Sequence, residues 1–450
     1  MGATIGYARD TIAAVATPPG RGGIGIVRIS GPAAAHIAAR MLGSVPPPRY
    51  ATCADFHDEK GTVVDSGIAL WFPEPDSFTG ESVLELHGHG GPAVTGLIVT
   101  AALHLGARRA EPGEFSKRAF LNGKLDLVQA EAVADLIDSG TAQAARAAHR
   151  SLAGAFSAAV DDLGGELIKL RMHVEAAIDF PEEEIDFLAD EALGAEIVKC
   201  ANAFGILCER AHAGRLLRDG IQVVIIGRPN AGKSSLLNRL CGHDAAIVTE
   251  VAGTTRDILR EHIDIDGLAV ELIDTAGLRD DPGIIEAEGI RRAQRALANA
   301  DAVLFIRDAT EAEAGPPGET LPDGVPVVML RNKIDLTGDM PGPVPGNQDV
   351  LNVSVKTGAG IDALKTTLAN IAGYTDLGEG AFTARQRHID ALEAAKAHFE
   401  RGCTALRESG AGELFAEELR LSQEALAAIT GAFSSDDLLG RIFSEFCIGK

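Results

Sequence analysis

Apolar residues in the first 120 positions occur in short runs rather than with a helical period. Three of these runs predict strands: 24–29, 67–72 and 82–86. Pro- and Gly-rich turn signals separate them: 18–20, 46–48 and 88–92. Short strands interspersed with turns indicate an α+β domain over residues 1–120.

From about residue 121, apolar residues recur every three or four positions: Leu121, Leu125, Val128, Ala132 and Leu136. This spacing predicts helices, and the pattern continues to Arg215 with an interruption near Pro181. It returns over 384–430. Each helical block has an apolar face that needs covering, and the other block is the nearest large candidate. We therefore expect one helical domain, built from 121–215 and 378–450.

Between the helical blocks, residues 216–377 alternate apolar strands with helices. The candidate strands are 221–226, 268–273, 302–306, 325–330 and 350–353. Alternating strands and helices predict a mainly parallel sheet with helices on both faces. The predicted fold class is therefore α+β multidomain, with an α/β domain at 216–377 inserted into the helical domain.

Composition narrows the class of protein. The 450 residues are 46% apolar, so the chain can bury several cores. Its 41 basic and 64 acidic residues give a net charge of −23, which disfavours non-specific nucleic-acid binding. Six cysteines without a CxxC pair indicate neither a zinc ribbon nor a disulfide framework. With no membrane-length apolar run and no signal peptide, we expect a cytoplasmic protein without a membrane span.

Residues 227–234 read GRPNAGKS and fit the pattern GxxxxGK[ST] between a predicted strand and a predicted helix. In such a loop, glycines let the backbone wrap phosphate oxygens, and N–H groups at the helix N-terminus bind the anion. Lys233 would neutralise phosphate charge, and Ser234 would ligate magnesium. The alternative, a glycine-rich turn before a helix, does not require this combination of residues.

Three further motifs follow in the order of a GTPase: DTAG at 274–277, NKID at 332–335 and SVK at 354–356. Asp274 can hold magnesium through water, and the Gly277 amide can meet the γ-phosphate. Asp335 can accept both N1–H and N2–H of guanine, a donor pair that adenine lacks. The third motif can present a backbone amide to guanine O6. We therefore expect a GTPase.

Leu278 follows the DTAG motif, where Ras-like enzymes have a Gln that orients the attacking water. A leucine cannot do this. Arg256 and Arg279 are nearby, but we interpret them as solvated arginines rather than as an arginine finger. Another group must therefore orient water and offset the transition-state charge.

Motifs along the whole chain resemble the MnmE (TrmE) family of tRNA modification GTPases. They are DTIAAVATPPGRGG at 10–23, FTGE at 78–81, GHGG at 88–91, RAFLN at 118–122, TTRD at 254–257 and FCIGK at 446–450. The resemblance implies an N-terminal domain that homodimerises and binds a tetrahydrofolate derivative, 5-formyl- or methylene-tetrahydrofolate. It also implies potassium-dependent pairing of two GTPase domains during GTP hydrolysis.

The resemblance further implies a partner, the flavin-dependent MnmG (GidA), which carries FAD. Together the two proteins would add an aminomethyl or carboxymethylaminomethyl group to C5 of wobble uridine 34 in certain tRNAs. The folate would supply the methylene carbon.

Matching positions give implied roles to individual residues. Asn230 corresponds to a potassium ligand, and the loop that completes the potassium shell contributes Thr249, Val251 and Thr254. Thr255 corresponds to a magnesium ligand, and Glu286 to the acid that orients water, with Glu288 and Asp281 as competing acids. The implied folate contacts are Arg28, Glu85, Lys124 and Lys450. Cys447 corresponds to a cysteine linked to modification rather than to hydrolysis.

The motifs and the resemblance together give one set of expected GTP contacts. They are Asn230, Ala231, Gly232, Lys233, Ser234, Ser235, Thr249, Glu250, Val251, Ala252, Gly253, Thr254, Thr255, Asp274, Thr275, Ala276, Gly277, Asn332, Lys333, Asp335, Ser354, Val355 and Lys356.

Other interpretations remain open on the residues alone. His87 and His89 share a face if they lie on a strand, but no third metal ligand is placed by spacing, so a metal pair is the minor alternative. A ribosome-assembly GTPase would carry an appended basic RNA-binding domain, and a membrane-remodelling GTPase would carry a basic or apolar membrane-facing segment. Neither feature is visible in the sequence.

Overall fold

The structure is a computed structural model. It describes residues 10–179, 191–244, 260–274, 296–298, 300–311, 324–373, 380–432, 436–444, 446 and 449. The chain forms two compact units, Met1–Ala134 with Gln423–Lys450, and Asp135–Ser422. The domain boundaries at 120, 215 and 377 stay predictions.

Strands fall in two stretches of the chain, 12–109 and 221–352, whereas helices occur along most of its described length. The strands are β1 (Ile12–Val15), β2 (Gly22–Ser30), β3 (Thr52–His57), β4 (Val63–Phe72), β5 (Val83–Gly90), β6 (Arg108–Arg109), β7 (Ile221–Gly227), β8 (Arg260–Ile265), β9 (Leu268–Asp274), β10 (Ala302–Asp308), β11 (Val327–Asn332), β12 (Gly342–Val344) and β13 (Asn347–Asn352). The helices are α1 (Ala34–Leu42), α2 (Pro92–His104), α3 (Glu114–Leu121), α4 (Leu127–Asp138), α5 (Ala142–Leu152), α6 (Ala155–Asp179), α7 (Glu191–Asp219), α8 (Lys233–Asp244), α9 (Ile334–Thr337), α10 (Ile361–Ile371), α11 (Gln386–Ser409), α12 (Gly412–Thr430) and α13 (Asp436–Ser444).

The first unit contains a six-stranded sheet in the order β3-β4-β5-β2-β1-β6. Its neighbours pair antiparallel except β1 and β6, which are parallel. Buried residues of β2, α1 and α2, including Ile29, Ile37 and Ile98, form one core. This confirms the predicted α+β fold. Packing of both helices against one sheet face leaves the Arg28 and Glu85 side chains only partly buried.

The predicted turn at 88–92 is wrong over its first three residues, because β5 continues to Gly90. The glycines permit close contacts that a side chain would prevent. A Cβ atom at Gly88 would lie 2.3 Å from Asp65 Oδ2, and one at Gly90 would lie 2.6 Å from the Gly22 carbonyl oxygen. Asp65 also accepts a hydrogen bond from the His89 N–H at 2.8 Å. Glycine at these positions therefore serves strand pairing rather than chain reversal.

In the second unit, the two helical blocks pack together as predicted. The Phe204 ring of α7 lies 5.4 Å from the Phe399 ring of α11, measured between centroids. Phe156 of α6 stacks on Phe382 at 4.5 Å, just before α11 begins. The Ser422 hydroxyl of α12 donates to the Ala395 carbonyl oxygen at 2.8 Å. None of the described helices combines the length and apolar character that a membrane crossing requires.

The α/β part of the second unit contains a seven-stranded sheet in the order β12-β13-β11-β10-β7-β9-β8. Its central pairs are parallel, and the edge pairs β8–β9 and β12–β13 are antiparallel. Alternate residues of β7 enter different cores: Val223 and Ile225 pack in one, Val224 and Ile226 in the other. This sheet, buried on both faces, confirms the predicted α/β domain.

One predicted strand is displaced by two residues. The strand expected at 325–330 is β11, which begins at Val327. Pro326 has no N–H group for the ladder, although its carbonyl oxygen accepts a hydrogen bond from the Val303 N–H at 2.9 Å. The shift matters for the site, because it places Asn332 at the last position of the strand.

Candidate functional site

The phosphate-loop sequence connects a buried strand to a helix, as predicted. β7 ends at Gly227, and α8 begins at Lys233, whose Nζ donates to the carbonyl oxygens of Gly227 at 2.8 Å and Arg228 at 3.0 Å. Asn230 has a φ of 63° and Gly232 a φ of 109°. A Cβ atom at Gly232 would lie 2.3 Å from Asn332 Nδ2, so only glycine fits there. The loop is therefore tightly wound, with the lysine charge held over it.

Asn332 connects this loop to the last predicted motif. The residue is 3% exposed. Its Nδ2 donates to the Ala231 carbonyl oxygen at 2.9 Å, and its Oδ1 accepts from the Val355 N–H at 3.0 Å. One side-chain amide thus satisfies backbone groups of two separate loops, which fixes their spacing.

Lys333 and Asp335 are held by partners outside the NKID motif. Lys333 Nζ lies 2.6 Å from Asp308 Oδ2, at the end of β10. The hydrogen bond from Lys333 holds the pKa of Asp308 below its usual range, with help from the Thr310 N–H and hydroxyl groups. The Ser354 hydroxyl donates to Asp335 Oδ1 at 2.7 Å. These contacts orient the lysine and the carboxylate.

Sequence reasoning missed Asp308. A signal for it existed, because its carboxylate follows the strand that neighbours both β7 and β11, at the carboxyl edge where ligands bind in open α/β sheets.

Residues of the phosphate loop, the NKID motif and the SVK motif line one cavity of about 840 Å³, a size typical of small-ligand sites. The residues that line it are Asn230, Gly232, Ser235, Asn238, Arg239, Gly242, Asn332, Lys333, Asp335, Leu336, Val355 and Lys356. Other predicted site residues lie outside the described residues: Thr249, Glu250, Val251, Ala252, Gly253, Thr254, Thr255, Thr275, Ala276, Gly277 and Glu286, which is predicted to orient water. For Asp274, the structure describes the backbone at the end of β9 and not the side chain.

A second candidate site lies on the sheet of the first unit. Arg28 and Glu85 face each other across β2 and β5, with Arg28 Nε 2.8 Å from Glu85 Oε1. The Arg28 guanidinium lies 5.7 Å from the ring centroids of both Phe78 and Phe115. Lys124 is exposed, and its carbons pass 3.4 Å from where a Gly80 Cβ would lie. The loop at 77–82 therefore contacts both Arg28 and Lys124.

The C-terminal segment packs on the same unit. Phe446 is buried with Leu127, Ala130 and Phe443. The Gly449 carbonyl oxygen lies 3.5 Å from Arg28 Nη1. A Cβ atom at Gly449 would lie 2.3 Å from the Val15 carbonyl oxygen, so the tail approaches β1 closely. Cys447 and Lys450 lie outside the described residues.

A buried ionic network supports the loop at 77–82. Arg118, 1% exposed, lies 3.1 Å from Glu81 Oε2, 2.6 Å from Asp10 Oδ1 and 2.9 Å from Glu114 Oε1. The Ser30 hydroxyl donates to Glu81 Oε2 at 2.7 Å. Burial raises the pKa of Glu114, but hydrogen bonds from Arg108, the Glu111 N–H and Arg118 outweigh it, so that pKa lies below its usual range. The RAFLN and FTGE motifs are therefore joined by the ion pair between Arg118 and Glu81.

The two histidines contact different carboxylates. His87 Nε2 lies 3.3 Å from Glu85 Oε2, and His89 Nδ1 lies 2.7 Å from Asp65 Oδ1. Within the described part of the chain, His, Cys, Asp and Glu side chains form no group of three or more that could hold a metal ion.

The strand–loop–helix at 221–244 and the pocket it shares with the NKID motif define a P-loop GTPase. Two family models match the chain: GTP-binding protein TrmE N-terminus over residues 11–124, and MnmE helical domain over residues 127–447. The chain belongs to the MnmE family of tRNA modification GTPases, and it is a GTP hydrolase.

Curated relatives match along nearly the whole chain. The tRNA modification GTPase MnmE of Erwinia tasmaniensis is 54% identical, covering 98% of this chain and 99% of its own. The protein of the same name from Stutzerimonas stutzeri is also 54% identical, with the same coverage. Among solved structures, the G domain of the T. maritima FeoB iron transporter is 24% identical, covering 34% of this chain and 98% of its own, with a TM-score of 0.25.

Proposed function

We propose that this chain is the GTP-hydrolysing subunit of a complex that modifies the wobble uridine of certain tRNAs. The partner is the flavin-dependent MnmG, and the product carries an aminomethyl or carboxymethylaminomethyl group at C5 of uridine 34. The observation that supports this most strongly is the shared pocket that joins the phosphate loop to the NKID and SVK motifs. It occurs in a chain that matches tRNA modification GTPases end to end.

In this proposal the pocket binds GTP with its base at Asp335 and its phosphates at the start of α8. The Asp335 carboxylate accepts N1–H and N2–H of guanine, and the Ser354 hydroxyl keeps it oriented. Backbone N–H groups at 230–235 and the Lys233 ammonium bind the phosphates. Through its hydrogen bonds with Ala231 and Val355, Asn332 sets the distance between the phosphate-binding part and the base-binding part of the pocket.

The proposal includes two metal ions, and the described residues offer one candidate ligand for each. Ser234 is exposed in the first turn of α8, and its hydroxyl has no partner among the described residues, which suits a magnesium ligand. Asn230 is exposed, and its side-chain amide also has no hydrogen-bond partner in the described part of the chain, which suits a potassium ligand. Thr255 would complete the magnesium site, and the loop with Thr249, Val251 and Thr254 the potassium site. The two cations would supply positive charge at the phosphates, a role for which the sequence identifies no arginine finger.

The first unit would bind a reduced folate. Arg28 and Glu85 form a guanidinium–carboxylate pair beside the partly exposed ring of Phe78, which suits a flat heterocycle with hydrogen-bond donors. Lys124 and Lys450 would offer positive charge to the glutamate tail of the folate. Cys447 and Lys450 would serve modification rather than hydrolysis. We also propose a cytoplasmic homodimer, with an N-terminal domain at 1–120, a G domain at 216–377 and helical segments at 121–215 and 378–450.

The test of the hydrolytic proposal is GTP turnover in sodium and potassium buffers of equal ionic strength. We expect potassium stimulation in the native protein and its loss in Asn230→Ala, with little change in nucleotide affinity because Lys233 and the amides remain. Asn202→Ala, which removes an exposed asparagine of α7, is the matched control. Equal rates in both salts would exclude the potassium site.

The water-orienting role is tested separately. Glu286→Ala should slow turnover while leaving potassium-dependent dimerisation with a transition-state mimic intact. Full activity of Glu286→Ala would mean that Glu288 or Asp281 orients the attacking water instead. A ribosome-assembly GTPase, the rival function, would hydrolyse GTP without binding a reduced folate.

A further inference from the structure

Arg239 lies on α8, six residues after Lys233, and reaches across the pocket edge to the SVK loop. Its Nε donates to the Val355 carbonyl oxygen at 2.9 Å, and its Nη2 donates to the Lys356 carbonyl oxygen at 2.7 Å. The guanidinium also covers Gly358, where a Cβ atom would lie 3.4 Å from Nη2. One side chain thus binds two consecutive carbonyl groups of the loop.

This arrangement fixes the orientation of two peptide planes. Because a peptide unit is planar and trans, holding the Val355 carbonyl group fixes the Lys356 N–H in the opposite direction. The Val355 N–H is held independently by Asn332 Oδ1 at 3.0 Å. The Thr357 N–H donates to the Ser354 hydroxyl oxygen at 3.3 Å, which closes the loop on the residue that orients Asp335. Arg239 therefore ties α8 to the SVK loop.

We propose that Arg239 is a positioning residue for guanine recognition. By holding the Val355 and Lys356 carbonyl groups, it sets the Lys356 N–H of the SVK loop against O6 of the base. The inference rests on the proposed guanine site. A guanidinium suits this task because it remains charged and presents several donors in a fixed plane, whereas a lysine presents a single mobile charge.

The alternative hypothesis is that Arg239 only holds α8 against the SVK loop and has no role in base recognition. The two roles differ in nucleotide selectivity. Bracing alone would affect every purine nucleotide equally, whereas loss of the O6 contact affects only nucleotides that have a 6-oxo group. Inosine triphosphate keeps O6 but lacks the 2-amino group that Asp335 binds, and 2,6-diaminopurine riboside triphosphate keeps the 2-amino group but lacks O6.

The experiment measures the Kd of GTP and of these two analogues for the full-length native protein, Arg239→Met and Arg239→Lys. We expect roughly tenfold weaker GTP binding by Arg239→Met, with a similar loss of preference over the diaminopurine analogue and an unchanged preference over the inosine analogue. Arg239→Lys should be intermediate, and it keeps the test available if Arg239→Met fails to fold. Arg420→Met, which removes an exposed arginine of α12, is the matched control and should match the native protein.

Equal weakening of all three nucleotides, or an unchanged preference over the diaminopurine analogue, would overturn the positioning role. Asp335→Asn in the same assay separates this failure from failure of the guanine site. If Asp335→Asn keeps native GTP affinity, the site assignment is wrong. If Asp335→Asn loses GTP affinity while Arg239→Met keeps full selectivity, only the inference about Arg239 is wrong.

Discussion

At the scale of single residues, the pocket depends on side chains that bind backbone groups of distant loops. Asn332 satisfies the Ala231 carbonyl and the Val355 N–H at once, and Arg239 holds two carbonyl groups of the same loop. A buried polar group that loses its partner costs roughly 1–3 kcal/mol, so the two Asn332 contacts, which are both buried, constrain the shape of the site strongly.

The base specificity predicts the behaviour of Asp335→Asn. In the variant, the asparagine Oδ1 can still accept from the Ser354 hydroxyl, which turns the amide nitrogen toward the base. An amide donor repels the guanine 2-amino group but suits the 2-carbonyl of xanthine. GTP affinity should fall by orders of magnitude and xanthosine triphosphate should bind in part, as measured by nucleotide titration. Native GTP affinity in the variant would show that Asp335 does not contact the base.

The tail makes a second prediction at this scale. Gly449→Ala would place a Cβ atom 2.3 Å from the Val15 carbonyl oxygen, at a φ of 99°, so the last residues must move. If Cys447 and Lys450 serve modification, modified uridine should fall at least tenfold while potassium-stimulated GTP turnover stays near native. Gly440→Ala is the matched control, because a Cβ atom there meets nothing within 4 Å. Parallel loss of both activities would give the tail a structural role.

The motif residues could be predicted because phosphate and base recognition need fixed residue types at short spacing. Arg239 and Asp308 could not be placed in the same way. Their partners, Val355 and Lys333, are distant in sequence, and only the fold brings them together. The carboxyl edge of the sheet gives a weak signal for Asp308, whereas α8 carries none that separates Arg239 from an ordinary exposed arginine.

At the scale of elements, the longer strands with buried faces were predicted, whereas the short strand β1 and the edge strands β3 and β8 were not. β7, with four consecutive buried residues, was expected within one residue of its observed end. β8 was missed because charged residues alternate with Ile263 and Ile265 in a strand of only six residues. β3 was missed because Phe56 is its one fully buried residue. A short polar edge strand is defined by its neighbour in the sheet rather than by its own sequence.

Helices α4 and α5 make polar contacts with distant segments that the sequence does not reveal. The Asp135 Oδ1 atom accepts from Arg218 Nε at 2.8 Å and from Arg385 Nη2 at 2.7 Å, just before β7 and at the start of α11. The Thr141 hydroxyl at the start of α5 donates to the Gly267 carbonyl oxygen at 3.0 Å, in the turn between β8 and β9. α4 thus contacts the residues that flank the α/β part on both sides, and the start of α5 contacts its β8–β9 turn.

The network around Arg118 predicts acid sensitivity of the first unit. The folded-state pKa values of Asp10 and Glu114 lie below their unfolded values, because hydrogen bonds from Arg108 and Arg118 outweigh the effect of burial. Their stabilisation is therefore fully present above the unfolded pKa values, near 4, and is lost as the pH falls through the lower folded values. The free energy of unfolding should fall across this window less steeply in Glu114→Gln than in the native protein.

The single tryptophan, Trp71, is 7% exposed in the core of this unit, so its fluorescence during urea unfolding reports the effect. Glu413→Gln, at the first turn of α12, is the control and should keep the native pH dependence. If the free energy of unfolding has the same pH dependence in the native protein and in Glu114→Gln, the network around Arg118 does not cause the acid sensitivity.

At the scale of the whole molecule, a net charge of −23 must be reconciled with a tRNA substrate. Phosphate backbones are repelled by a strongly acidic surface, so the proposed complex needs basic groups from a local patch or from the partner. The proposal assigns GTP hydrolysis and folate binding to the present chain, and much of the tRNA contact to the partner. In this proposal the two chemistries fall in different compact units, because one unit contains the Arg28–Glu85 pair and the other the nucleotide pocket.

Nucleoside analysis of tRNA from cells that lack this protein tests the central claim most directly. The account predicts that the C5-modified wobble uridine disappears, that the native gene restores it, and that Asp335→Asn does not. Unchanged levels of the modified nucleoside in the deletion strain would contradict a role in tRNA modification, whatever the rate of GTP hydrolysis.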